Sequence, residues 1–236
     1  MKQKIKTGKI VYRFTTPVYP ANILYVNLIA KYSCSNDCLF CSRPRTTKKF
    51  GKPNIYEKKA CANLYLPKSP SINKVMREIK KKIDLRKDKE IAFIGLGEPM
   101  IYFPKVVKLI SLIRDKYPSI ETRIDTNGLV QCMFPDSNPA QELKKAGLDE
   151  IRISVNAINE AEYIKLCRPQ FDNAFKCLTD FVKDCIKADI DTYASFVTDF
   201  KHSNIQSRDE QDYVDFASSL GIKPKHTLLR RYVKPS

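Results

Sequence analysis

Three cysteines stand close together near the start of the chain, in the string CSNDCLFC: Cys34, Cys38 and Cys41. Their spacing is C-x3-C-x2-C. Thiolate is a soft ligand that suits iron–sulfur clusters and zinc. Three thiolates on one tight loop can hold three irons of a [4Fe–4S] cube and leave the fourth iron without a protein ligand. An open metal position is where chemistry on a substrate takes place, as it is for catalytic zinc. The competing use is a structural zinc site. Zinc wants a fourth ligand at a matching spacing, yet the chain has no second CxxC and only two histidines, His202 and His226. Cys61 is a further thiol 20 residues beyond Cys41.

Other segments offer polar groups in short, glycine-bearing strings. GLGEP spans 95–99; Gly95 and Gly97 allow close backbone approach, and the Glu98 carboxylate complements an ammonium group. DTNG spans 125–128 and ISVN 153–156. On a strand, Ser154 and Asn156 share one face. Taken singly, GLGEP and DTNG are also ordinary turns and the polar pair is commonplace. In LCRP, 166–169, Cys167 reads as a packing residue or as a hydrogen-atom donor. Arg168 beside it is a candidate anchor for a substrate carboxylate or phosphate. Cys177 and Cys185 fall in a helical pattern with Phe181 and Ile186 and read as ordinary buried residues. Eight cysteines are too sparse for a disulfide scaffold, so the cysteines are expected as thiols, metal ligands or both.

These segments need elements to position them, and the chain alternates strands with helices. LYVNLI (24–29), IAFIGLG (91–97), ETRIDTNG (121–128), EIRISVN (150–156), DTYASFV (191–197) and HTLLRRYV (226–233) read as strands. Between them lie helical patterns: 72–83 behind a Ser71 cap, 104–117, 139–146 stopped by Gly147, 159–167, 171–188, and 208–220 stopped by Gly221. Six strands with helical crossovers predict an α/β fold with a parallel sheet and right-handed connections. Six βα units are about three quarters of an eight-stranded barrel, so an open or partial barrel fits the length. The whole chain, 1–236, reads as a single domain with a basic extension over 1–22 and a basic, proline-containing loop over 42–70.

A C-x3-C-x2-C string after the first strand of such a series, with Phe40 just before the last cysteine, resembles the radical S-adenosylmethionine (radical SAM) superfamily. GLGEP, DTNG and ISVN resemble its further motifs, in the same order. The resemblance implies a partial (βα)6 TIM-like barrel of the radical SAM type. It implies a [4Fe–4S] cluster on Cys34, Cys38 and Cys41, with the open iron chelated by the amino and carboxylate groups of S-adenosylmethionine (SAM). Reductive cleavage would then give methionine and a 5′-deoxyadenosyl radical that abstracts hydrogen from a substrate. Phe40 would pack on the adenine edge. Gly95, Gly97 and Glu98 would hold the methionine amino group, and Asn127, Ser154 and Asn156 would contact its carboxylate or the ribose. A flavodoxin- or ferredoxin-type electron donor is implied as partner. NLYL at 63–66, GLGEP, DTNG and SVNAINEAEYIKLCRP at 154–169 are more narrowly similar to the TatD-associated radical SAM proteins, whose name implies a link to a TatD-type hydrolase. Glycyl-radical activating enzymes share the size and the cysteine spacing, and an enzyme modifying nucleic acid or a metabolite is a further alternative. A metal-binding nucleic-acid module is the reading without catalysis.

Composition sets the bounds. Hydrophobic residues are 43%, which argues against a disordered chain. No apolar run approaches the roughly 20 residues of a membrane helix. The basic N-terminus lacks the apolar stretch of a secretory signal, so a cytoplasmic protein is expected. Residues 1–118 hold 26 basic and 8 acidic side chains, and the remainder 16 and 18, so all of the net +16 is N-terminal. Nucleic acid is the first anionic partner to expect of that half, with Arg43, Arg45, Lys48, Lys49, Lys58 and Lys59 following the cysteines. The alternative is a lysine-rich solvated surface, since Lys outnumbers Arg 30 to 12 and phosphate readout favours Arg.

Overall fold

The computed structural model describes residues 8–14, 22–41, 64–200 and 208–232. Most of the basic extension, residues 42–63 with their lysines, arginines and Cys61, and His202 lie outside the described residues. Contacts within the chain sort into two compact units, divided at Cys34/Ser35, Cys41/Ser42 and Thr122/Arg123.

In the first unit, β1 (Val11–Tyr12) runs antiparallel to β2 (Ile23–Val26), and β2 pairs in parallel with β3 (Glu90–Phe93). The strand β1 is an addition to the six expected; two residues carry no periodicity that could reveal it. Arg13 fastens it by an ion pair with the buried Asp88 carboxylate, which holds the guanidinium above its ordinary pKa. Helix α1 (Ile72–Lys82) starts at Ser71, whose side chain accepts from the Lys74 N–H, and buries Val75 and Ile79. Helix α2 (Phe103–Lys116) buries one stripe, including Val106, Leu109, Ile110 and Ile113. A core of Tyr12, Ile23, Tyr25, Tyr32, Leu64, Tyr65 and Ala92 fills this unit.

The second unit carries β4 (Glu121–Thr126, from Arg123 onward), β5 (Glu150–Ser154), β6 (Asp191–Thr198) and β7 (Thr227–Arg231), paired in parallel in that order. Its helices are α3 (Val130–Met133), α4 (Pro139–Ala146), α5 (Glu160–Cys167), α6 (Ala174–Lys187) and α7 (Glu210–Ser219). The short α3 has no counterpart in the sequence reading. Cys132 on α3 and Cys177 on α6 form a disulfide, with Cα atoms 6.3 Å apart, where the sequence reading expects thiols. Pairing between cysteines 45 residues apart depends on how two helices pack, which spacing alone does not disclose. No helix among the described residues is long and apolar enough to cross a membrane.

Candidate functional site

The segment from Asn27 to Ser33 delivers the chain to Cys34. Asn27, 1% exposed, donates from Nδ2 to the Leu64 carbonyl at 2.8 Å, while its Oδ1 accepts from the Ile29 N–H at 3.0 Å. Lys31 and Tyr32 both sit at positive φ, +51° and +56°. Such residues cost about 1–3 kcal/mol each and persist where the surroundings over-determine them. Here the Lys31 N–H donates to the Leu66 carbonyl at 2.8 Å, the Ser33 N–H donates back to Ala30 at 2.9 Å, and the Tyr32 ring is buried edge-on against Tyr65. The sequence reading missed Asn27 and this double turn; only the polar residue in an apolar run, VNLI, signals either.

GLGEP docks directly onto that segment. A Cβ on Gly97, at φ +136°, would stand 2.3 Å from the Ser33 carbonyl oxygen and 2.8 Å from Ile29 Cγ2; one on Gly95 would stand 2.7 Å from Asn27 Oδ1. The glycines therefore serve a close approach, and the neighbour is the chain itself. The Glu98 N–H donates to the Ser33 carbonyl at 2.9 Å. The Glu98 side chain is 1% exposed and caps the 3-10 turn Pro99–Tyr102, accepting from the Met100 N–H at 2.8 Å.

In the second unit, the stretch Ser35–Cys41 is fastened by two separate parts of the chain, DTNG and the end of α5 with LCRP. Asn127 of DTNG donates from Nδ2 to Ser35 Oγ at 2.8 Å, and its Oδ1 accepts from the Leu129 N–H at 3.1 Å. Asn36 donates from Nδ2 to the Tyr163 hydroxyl at 3.0 Å. LCRP lies alongside: the Asp37 N–H donates to the Cys167 carbonyl at 2.9 Å, the Leu39 N–H to Leu166 at 2.8 Å, and the Gln170 N–H to the Ser35 carbonyl at 3.0 Å. Arg168, exposed and at φ +46°, ends α5 so that these carbonyls face the cysteine stretch. The Cys167 side chain is fully buried, and its Sγ accepts from Asn156 Nδ2 at 3.9 Å. Asn156, at φ +62°, joins the ends of two strands, its Oδ1 accepting from the Val197 N–H at 3.2 Å. The Ser154 hydroxyl accepts from Ser195 Oγ at 3.4 Å. Phe40 packs edge-on to Phe200, which in turn meets Tyr232.

Cys34, Cys38 and Cys41 are partly exposed, and none is in a disulfide. Among the described residues no three His, Cys, Asp or Glu side chains converge on a point that could hold one metal ion. A cube asks something else of its ligands, because each thiolate binds its own iron. A soft three-thiol donor set on a loop held by backbone hydrogen bonds fits that demand.

The profile of the radical SAM superfamily matches residues 29–210. The chain belongs to the radical SAM superfamily. Members of this superfamily are enzymes that use a [4Fe–4S] cluster and SAM, and among the solved structures the radical SAM fold recurs at low identity. A native anSMEcpe with bound AdoMet superposes with a TM-score of 0.60 at 14% identity, covering 90% of this chain and 52% of that one. The [FeFe]-hydrogenase maturase HydG from Carboxydothermus hydrogenoformans gives 0.60 at 18%, covering 91% and 45%. Methylornithine synthase (PylB) gives 0.58 at 13%, covering 89% and 52%. The chain thus spans about half the length of these structures. They share its α/β fold, in agreement with the partial TIM-like barrel expected from the alternation of elements. No curated protein matches the chain.

Proposed function

We propose that this radical SAM protein holds a [4Fe–4S] cluster on Cys34, Cys38 and Cys41 and uses it to cleave SAM reductively, starting radical chemistry on a substrate. The observation that carries the reading is how the residues on either side of Cys34 are fastened, each within its own unit. Three motif segments far apart in sequence each bond to the few residues around the first cysteine: GLGEP through Glu98 to Ser33, DTNG through Asn127 to Ser35, and LCRP through Cys167 to Asp37. When bound, the cluster would supply one electron, and SAM the 5′-deoxyadenosyl group that takes hydrogen from the substrate. The chain's own part is to hold the thiolates on a loop already fastened through the N–H groups of Asp37, Leu39 and Cys41. Glu98, buried at the end of GLGEP, is the carboxylate we assign to the ammonium of SAM. Phe40 offers a ring face to the adenine, and Asn127, Ser154 and Asn156 offer amide and hydroxyl groups to the ribose or carboxylate. Cytoplasmic residence and a flavodoxin- or ferredoxin-type electron donor belong to the same proposal.

Within the superfamily, NLYL and SVNAINEAEYIKLCRP favour kinship with the TatD-associated proteins, and hence a TatD-type hydrolase as partner. Nucleic acid is the second reading of the substrate, favoured by the N-terminal concentration of charge. The test is anaerobic reconstitution. About four irons and four sulfides per chain, and 5′-deoxyadenosine on reduction with SAM, are expected. Changing Cys34, Cys38 or Cys41 singly to Ala should remove the cluster and all SAM cleavage. One zinc and no sulfide, or an Ala variant that cleaves at the parent rate, would sink the assignment.

A further inference from the structure

The strands β4 to β7 present two faces, since side chains alternate along each strand. Ile124, Ile151, Ile153 and Phe196 are fully buried. The Phe196 ring lies 5.0 Å from Tyr213 of α7, and Ile153 meets Leu178 of α6 at Gly128, so the helices cover that face. The intervening residues point the other way, and several of them are charged. Arg123 binds Asp125 and lies 3.6 Å from Glu150 Oε1. Arg152 Nε donates to the same Glu150 oxygen at 2.5 Å. From β7, Arg230 Nη2 comes within 3.9 Å of Asp125 Oδ2 on β4. Three strand spacings are about 14 Å on a flat sheet, so this face is concave.

Two features mark the arginines of this face. Three guanidiniums here share two carboxylates, Asp125 and Glu150. A further carboxylate on the face, Asp191, lies at the start of β6 beside His226, 3.3 Å away, and is half exposed. In addition, the outer arginines keep open donors. Among the described residues only Nε of Arg152 is hydrogen-bonded, and its guanidinium lies 5.5 Å over the Tyr193 ring, which steadies the plane. Arg230 stands too far from Asp125 for a hydrogen bond and is 48% exposed. The choice of residue agrees. Lys outnumbers Arg 30 to 12 in the chain, yet these four strands hold four Arg and no Lys. Arg is the side chain for forked recognition of carboxylate or phosphate.

We propose that the substrate of this enzyme bears an anionic group, carboxylate or phosphate, and that Arg152 and Arg230 hold it on the concave face of β4–β7. Calling the anion a substrate rests on the radical SAM reading above; the anion site itself does not. The test uses the full chain, reconstituted anaerobically and saturated with SAM, at low ionic strength. Inorganic phosphate and succinate are titrated separately by calorimetry, and whichever binds names the class. One saturable site is expected. Arg152→Gln and Arg230→Gln should each weaken it roughly ten- to a hundredfold, while iron content and SAM affinity stay at parent values. Lys176→Gln, on the exposed side of α6, should leave all three unchanged. Should Arg152→Gln fail to fold by circular dichroism, Arg230→Gln, at a more exposed side chain, decides. Absence of both anions from the parent, or equal binding in the variants, overturns the proposal. So does a fall in SAM affinity matching the loss of anion, which would give the arginines to the SAM carboxylate. If the chain takes up no cluster, the titration of the metal-free protein still decides the anion site, and only the word substrate is lost with the enzyme reading.

Discussion

Gly97 and Glu98 divide the labour of one motif between shape and charge. A methyl group on Gly97 would lie 2.3 Å from the Ser33 carbonyl oxygen, at a φ of +136° that side chains rarely adopt. Gly97→Ala should therefore cost upwards of about 1–3 kcal/mol, lowering Tm by several degrees in a protein of this size. It should also push Ser33 and Cys34 out of place, so iron retention falls with stability; an Ala variant with parent Tm and full iron would refute the close approach. Glu98→Gln is the contrasting change. A Gln oxygen can still accept from the Met100 N–H, so the cap survives while the negative charge is lost. Tm should hold within about a degree, whereas SAM affinity should fall about ten- to a hundredfold with the charge-assisted bond. Unchanged affinity would leave GLGEP as a turn only. The sequence named both residues, because glycine and carboxylate carry their chemistry visibly. It did not name the partner of the glycines, since nothing in GLGEP says that Ser33 lies against it.

At the scale of elements, α5 does more than cross between strands. Its last turn offers the carbonyls of Leu166 and Cys167 to the backbone of the cysteine stretch, and Tyr163 within it holds Asn36. Tyr163→Phe keeps the buried ring but removes the hydroxyl to which the Asn36 amide donates, at a cost of about 1–3 kcal/mol. The expected result is a lower Tm and faster loss of iron to a chelator; if iron loss is as slow as in the parent, the helix end merely packs. The disulfide between α3 and α6 closes a loop of 45 residues, worth roughly 4 kcal/mol in the chain-entropy account. Cys132→Ser should then lower Tm by about 8–16 °C, and peptide mapping of the unreduced parent should recover Cys132 joined to Cys177. Free Cys185, by contrast, should resist alkylation in the native protein, because burial, aided by Asp184, raises its thiol pKa far above the ordinary value. Periodic elements were legible: α4 runs over the expected 139–146, and α1 over 72–82 behind its Ser71 cap. What escaped was short or tertiary. The strand β1 has two residues and α3 four, too few for any period, and the disulfide depends on how α3 meets α6.

For the whole molecule the unexplained feature is the distribution of charge. Residues 1–118 carry a net +18 and the rest a net −2. Lysine chosen only for solubility would have coloured both halves, so the asymmetry favours a polyanion on the N-terminal half. Lys48, Lys49, Lys58 and Lys59 follow the cysteines in sequence, so a nucleic acid held by them would lie close along the chain to the proposed cluster. Binding of that kind releases counterions, and log K falls with log salt at about 0.9 per neutralised phosphate on duplex DNA. Four lysines meeting four phosphates would by themselves account for roughly a hundredfold loss between 50 and 200 mM salt. The measurement is the affinity of the parent and of the fourfold Lys→Ala variant for RNA and for DNA at those two salt concentrations. The parent should bind at low salt and weaken steeply, and the variant should bind less tightly with a slope shallower by up to about 3.6 on duplex DNA. Equal slopes would take these lysines out of the contact. No binding by the parent at 50 mM would reduce the N-terminal charge to a solvated surface and leave the arginine face of β4–β7 as the place to look for the substrate.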